Sequence, residues 1–266
     1  MTRSRRRDTG APRAALDIES VLHPDAAGLT GSPNPSSRPA LHHVVCASVL
    51  LFRQQEGHGA IGDLDLRTFS ADAHAEPEII GFVDRTLPDP ADRRSLLITW
   101  NGRTSDMRTL RHRASALWMF GLDRLRAWSA ADPTRHRDLM KDTEPGLTRG
   151  DFWALRDVCA GMGFALRPGG RATVPQMLLA GDHAAIALRN RRDAVAAMLT
   201  FAAHDSFLRG CDIPLASAWA AIGGLQRIDP PISDGSSALS THHLVELGRQ
   251  RLAAAARDGC GCPRVG

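Results

Sequence analysis

The spacing of apolar residues changes near residue 100, and that change limits the folds open to this chain. Arg13 to Ile18 (RAALDI), Val44 to Phe52 (VVCASVLLF) and Leu96 to Trp100 (LLITW) are short, continuous apolar runs, while Gly59 to Phe69 alternates apolar and polar positions. These patterns predict four strands, the second and third antiparallel neighbours. Only 75–86, through Ile79, Ile80 and Val83, reads as helix among them. Afterwards Met107, Leu110, Ala114, Leu117 and Trp118 recur three and four apart, which places them on one helix face. Segments at about 150–162, 173–180 and 183–208 repeat that helical pattern. Strands first and helices later predict an α/β domain, a mixed β-sheet flanked by α-helices.

The ends of the chain read differently. Residues 1–13 hold Arg3, Arg5, Arg6, Arg7 and Arg13 against Asp8, and so carry the whole formal charge of +4. A basic disordered tail is predicted there, able to meet phosphate backbones or simply water. Lys141 is the only lysine among 33 basic residues, so arginine abundance reflects a general preference and argues little for nucleic acid. Residues 23–40, rich in Pro, Gly, Ser and Asn, read as a long loop. The domain is expected over 14–209. The stretch 210–266 is expected to be a helical C-terminal extension with a flexible end, amphipathic around Leu244, Leu247 and Leu252 after Pro230-Pro231 and a Ser/Gly turn at 233–237. No apolar run reaches 18 residues and no signal-like core follows the basic start, so a cytoplasmic protein with no membrane partner is expected. Five cysteines, an odd number with no regular framework, read as reduced thiols. Cys260 and Cys262, with His242 and His243 upstream, are either a frayed terminus or part of a zinc site. The five tryptophans, Trp100, Trp118, Trp128, Trp153 and Trp219, are expected in the core, with base stacking as the alternative.

Four acidic positions stand out by placement. Asp17 and Glu19, two apart on the first strand, project from one face. Two same-face carboxylates on an apolar strand are unusual, because buried unpaired charge is unfavourable unless a cation meets it. Asp106 follows the strand ending at Trp100 and the Asn101-Gly102 turn, and opens a helix. The helix dipole alone would account for an aspartate there, and turn geometry for Asn101. Asp193 sits in the long helical pattern after Gly181, beside Arg191 and Arg192, where a solvated charge is the plainer reading. Together, two carboxylates on one strand and two on separate helices have the distribution that two-metal phosphodiester hydrolysis needs.

Five segments, in order, resemble a family of 3′–5′ exonucleases related to the exonuclease domain of family B DNA polymerases, within the DEDD, RNase H-like superfamily. They are L-D-I-E-S (16–20), H-H-V-V-C-A-S-V (42–49), I-T-W-N-G-R-T-S-D-M-R-T-L-R-H-R-A (98–114), R-H-R-D-L-M (135–140) and A-G-D-H-A-A-I through Asp193. The resemblance runs from about Ala15 to Phe207. It implies an RNase H-like mixed sheet, with Asp17, Glu19, Asp106 and Asp193 as catalytic residues holding two Mg²⁺ or Mn²⁺ ions. It further implies Asn101, Arg189 and Asn190 as substrate-binding residues, and 3′ ends of single-stranded DNA or RNA as substrate. Asp138 is implied as an outer or structural residue. The chain departs from the family where a tyrosine should stand four residues before the last aspartate. That position is Arg189, and the chain contains no tyrosine. A phenylalanine before the second aspartate is replaced by Ser105. The alternative implied by these losses is a catalytically degenerate module of the same fold that binds nucleic acid or a partner protein.

Overall fold

The computed structural model of the chain describes residues 10–31, 34, 38–142, 153–164, 166, 173–228 and 238–257. Five strands form one sheet: β1 (Ala11–Leu22), β2 (His42–Gln54), β3 (Ile61–Ser70), β4 (Leu96–Thr99) and β5 (His136–Asp138). Their order is β3-β2-β1-β4-β5. β1 runs antiparallel to β2, and β2 antiparallel to β3. β4 lies parallel to β1, and β5 parallel to β4. The fold is therefore α/β with a mixed sheet of the RNase H-like kind, as the hydrophobic spacing predicts.

Helices cover both faces. They are α1 (Pro24–Thr30), α2 (Glu76–Thr86), α3 (Asp106–Ala116), α4 (Asp123–Ser129), α5 (Leu139–Asp142), α6 (Leu155–Gly161), α7 (Val174–Leu179), α8 (His183–Arg209), α9 (Ile213–Ile228) and α10 (Ala238–Arg257). Alternation along β1 divides the core in two. Ala14, Leu16 and Ile18 join residues of α2, α3 and α4, including Ile79, Leu110 and Trp128. Ala15 points the other way, into a cluster with α8 residues such as Ala194 and Met198. Fully buried side chains such as Leu16, Leu97 and Ile98 each stabilise the fold by roughly 1.5–3 kcal/mol. Odd-numbered β1 positions therefore face α8, and Asp17 and Glu19 continue that row.

Several expectations change. The loop at 23–40 contains α1 and a 3₁₀ turn at Pro39–Leu41. β5 is an additional strand, too short and too polar to leave a hydrophobic period, yet His136 and Asp138 are buried. Trp128 and Trp219 are core residues, but Trp118 is 82% and Trp153 59% exposed. Trp118 leaves the helical face because α3 ends at Ala116 and Trp118 turns at φ 57°. Cys211 is disulfide-bonded, whereas Cys46 and Cys159 are free and buried; an odd count does not rule out one pair. Cys260 and Cys262 lie outside the described residues. Beyond residue 210, Trp219 and Ile222 of α9 and Val245 of α10 share the α8 core cluster. Among the described residues no helix is long and apolar enough to cross a membrane.

Candidate metal centre

The acidic residues meet at the carboxyl ends of the parallel strands, where open α/β sheets place their ligand crevices. Asp17 and Glu19 pair with Ser48 and Cys46 across β2, and the register shifts just after Glu19. That bulge ends regular pairing next to the carboxylates, as bulges beside functional sites often do. The end of β4 lies alongside, with Ala15 opposite Ile98. Opposite them, α8 supplies Asp193. Its long helix is fixed at one end by Asp182, whose Oδ1 accepts the Ala185 N–H at 3.0 Å, and at the other by Gly210 in the left-handed conformation.

Ligand oxygens of Asp17, Glu19 and Asp193 all lie within 4.8 Å of one another. Asp106 borders them: its carboxyl is pushed well above the usual range first by burial, then by the charges of Glu19 and Asp138. Its Oδ2 is buried with no hydrogen-bond partner among the described residues. Asp17 is raised for the same first reason, then by Asp193, Asp106 and Glu19, although part of its surface stays open. Four mutually repelling carboxylates in a low-dielectric crevice are unfavourable without a compensating cation. All the donors are hard oxygens, and the spacing suits a small divalent ion such as Mg²⁺ or Mn²⁺. These residues fit a metal on an orphaned oxygen, on spacing and on chemistry.

The substrate-binding candidates sit in different surroundings. Asn190 is fully buried; its Nδ2 donates to Asp17 Oδ2 at 2.5 Å and its Oδ1 meets the Cys46 thiol at 3.5 Å. Its amide thus orients a carboxylate. Burial, with the nearby charges of Glu19 and Asp17, pushes the Cys46 thiol up to about 12, so it stays neutral. Arg189 places Nε 2.8 Å from Glu19 Oε1. The N–H is not aimed along a hydrogen bond, so the contact is an ion pair at close range. The residue at the tyrosine position therefore brings a positive charge into the acid cluster.

Asn101 takes φ 62°, and its N–H donates to Asp138 Oδ1 at 2.8 Å. The Arg103 N–H donates to Asp138 Oδ2 at 3.2 Å. Gly102 is required in the same turn, because a Cβ there would lie 2.4 Å from Thr99 Cβ. Asp138, at the end of β5, thus clamps the turn that delivers Asp106. The His-x-Asp-Leu-Met segment marked Asp138 in the sequence, but its two backbone partners had no sequence signal. The Asn190–Asp17 bond and the Arg189–Glu19 pair, 173 and 170 residues apart in sequence, had none either. No protein-family profile and no curated protein matches this chain.

Proposed function

We propose that this chain is a metal-dependent 3′–5′ exonuclease of the DEDD, RNase H-like kind, acting on 3′ ends of single-stranded nucleic acid. The convergence of Asp17, Glu19 and Asp193 within 4.8 Å, from a central strand and a distant helix, carries this reading. Two Mg²⁺ or Mn²⁺ ions held by these residues and Asp106 would supply charge neutralisation at the phosphate and a water acidic enough to attack it. The chain's own part is positioning. Asn190 fixes the rotamer of Asp17, Asp138 fixes the turn before Asp106, and the α8 core holds Asp193 against β1. Arg189, whose Nε lies 2.8 Å from Glu19 Oε1, is placed to move onto a scissile phosphate when an ion takes Glu19.

The Arg189–Glu19 pair also favours a second reading, a catalytically silent module of the same fold, because the arginine already offsets one carboxylate. Single-stranded DNA and RNA labelled at the 5′ end decide between them. With Mg²⁺ or Mn²⁺, the wild type should give a ladder shortening from the 3′ end, and Asp17→Ala should abolish it. A folded wild type that leaves both substrates intact with either ion would sink the exonuclease and leave the silent module.

A further inference from the structure

Trp118 and Phe120 form an exposed aromatic pair at the far end of the helix that begins with Asp106. Their rings lie 5.9 Å apart, edge to face at 76°, with 82% and 64% of each residue exposed. A tryptophan at φ 57° is strained, since bulky residues rarely adopt the left-handed region. A strained backbone that holds two large rings in water contributes nothing evident to the fold. Beside them lies a surface cavity of about 370 Å³ with an apolar floor at Met119 and Leu122 and with Arg111 and Arg126 at its edge.

The charges here are not evenly matched. Arg113 is paired with Glu76 at 2.6 Å and Arg126 with Asp123 at 2.6 Å. Arg124 donates to the carbonyls of Arg85 and Leu87. Arg108 and Arg111 are exposed and have no ion pair among the described residues. They stand three apart on α3, and Ser115 follows at a step of four, which aligns the three on one face, while Trp118 lies two residues past the helix end at Ala116. The stripe starts two residues after Asp106, follows about 12 Å of helix to Ala116 at about 1.5 Å per residue, and leads to the aromatic pair just beyond it.

We propose that this stripe is a binding track for single-stranded nucleic acid, with phosphates on Arg108 and Arg111 and unpaired bases stacked on Trp118 and Phe120. The proposal deepens the exonuclease reading and rests on it for the choice of strand, while its binding claim is independent of cleavage. Planar rings ask for a planar partner, and only unpaired bases expose their faces. Two free guanidiniums beside them ask for the phosphates joining those bases. An acidic protein segment would satisfy the arginines alone.

The test is the affinity of a 5′-fluorescein-labelled oligothymidylate, read by anisotropy in EDTA so that no cleavage intervenes. The wild type should bind, and Trp118→Ala/Phe120→Ala should weaken binding by about 5- to 100-fold, the effect of losing stacking on one or two bases. Arg108→Gln/Arg111→Gln should weaken it and reduce the slope of log affinity against log salt by about 1.4, from two phosphates at about 0.7 each. An abasic oligomer should bind the wild type about as weakly as thymidylate binds the aromatic variant. Equal affinity of wild type and aromatic variant, equal affinity for abasic and thymidylate strands, or no binding by the wild type would each overturn the track. All four positions are exposed, and melting curves confirm that the variants fold. A cleavage ladder from a variant with undiminished affinity removes the track and keeps the nuclease; weakened binding in a protein that never cleaves does the reverse.

Discussion

Asp106 shows how a single carboxylate can be unfavourable to the fold and useful to the site. Its Oδ2 is buried without a partner, beside Glu19 and Asp138. Asp106→Asn removes one negative charge from that crevice, so the metal-free variant should melt a few degrees above the wild type. The same change should shrink the melting-temperature gain on adding Mn²⁺, because binding to the folded state is what produces that gain. Thermal melts with EDTA and with Mn²⁺ check both; an undiminished Mn²⁺ effect would remove Asp106 from the ion's surroundings. At this scale the sequence revealed that Asp17 and Glu19 come together, since a strand's two-residue period puts them on one face. It did not reveal their partners. Asn190 and Arg189 are ordinary helix residues until α8 is laid across β1, and a contact spanning about 170 positions leaves no local pattern.

The elements were legible in proportion to how apolar they are. β1, β2, β3 and β4 are where their apolar runs fall, with β1 reaching further than Arg13 to Ile18. α8 covers the segment expected at 183–208, and Asp182 and Gly210 cap its two ends. β5 was hidden because three residues, H-R-D, hold no hydrophobic period, and Trp118 was misplaced because a helix's spacing continued beyond the helix. The contact between α9 and α10 was equally silent. A Cβ on Gly248 would stand 2.6 Å from the Ala216 carbonyl oxygen and 3.0 Å from Trp219 Cβ. Gly248→Ala gains about 1 kcal/mol in helix propensity, but backbone oxygen cannot yield to the new methyl, and overpacking costs about 1–3 kcal/mol. The variant should therefore melt lower, by a few degrees in a thermal scan. A higher melting point would show that the two helices are not held this close.

Acid stability belongs to the whole molecule, and His136 gives it a defined sign. The ring is 2% exposed, its Nε2 lies 3.0 Å from Thr99 Oγ1, and burial first, then Arg103, pushes its pKa down to about 4. Unfolded chain takes up that proton near pH 6.5, so stability is lost as pH falls from about 6.5 to 4, by up to about 3 kcal/mol. The buried carboxylates act in the opposite sense: their raised values favour the folded state at low pH, and that advantage fades as pH rises above the ordinary carboxylate range. Comparing His136→Gln with wild type isolates the histidine, and the variant should lose less stability between pH 7 and 4.5 in urea titrations. Parallel acid limbs would show that His136 can take its proton without unfolding. The strand order has a further consequence, in time. β1 lies in the middle of the sheet, yet β4 and β5 follow it by some 80 to 120 residues, and Asp193 follows Asp17 by 176. At the roughly 5–20 residues per second of protein synthesis, that interval is on the order of ten seconds or more. A nascent chain thus holds its first two carboxylates on a half-covered strand, and the last one joins only after α8 has left the ribosome. The acidic centre therefore cannot form on any nascent chain that stops short of α8, however well its first strands have paired.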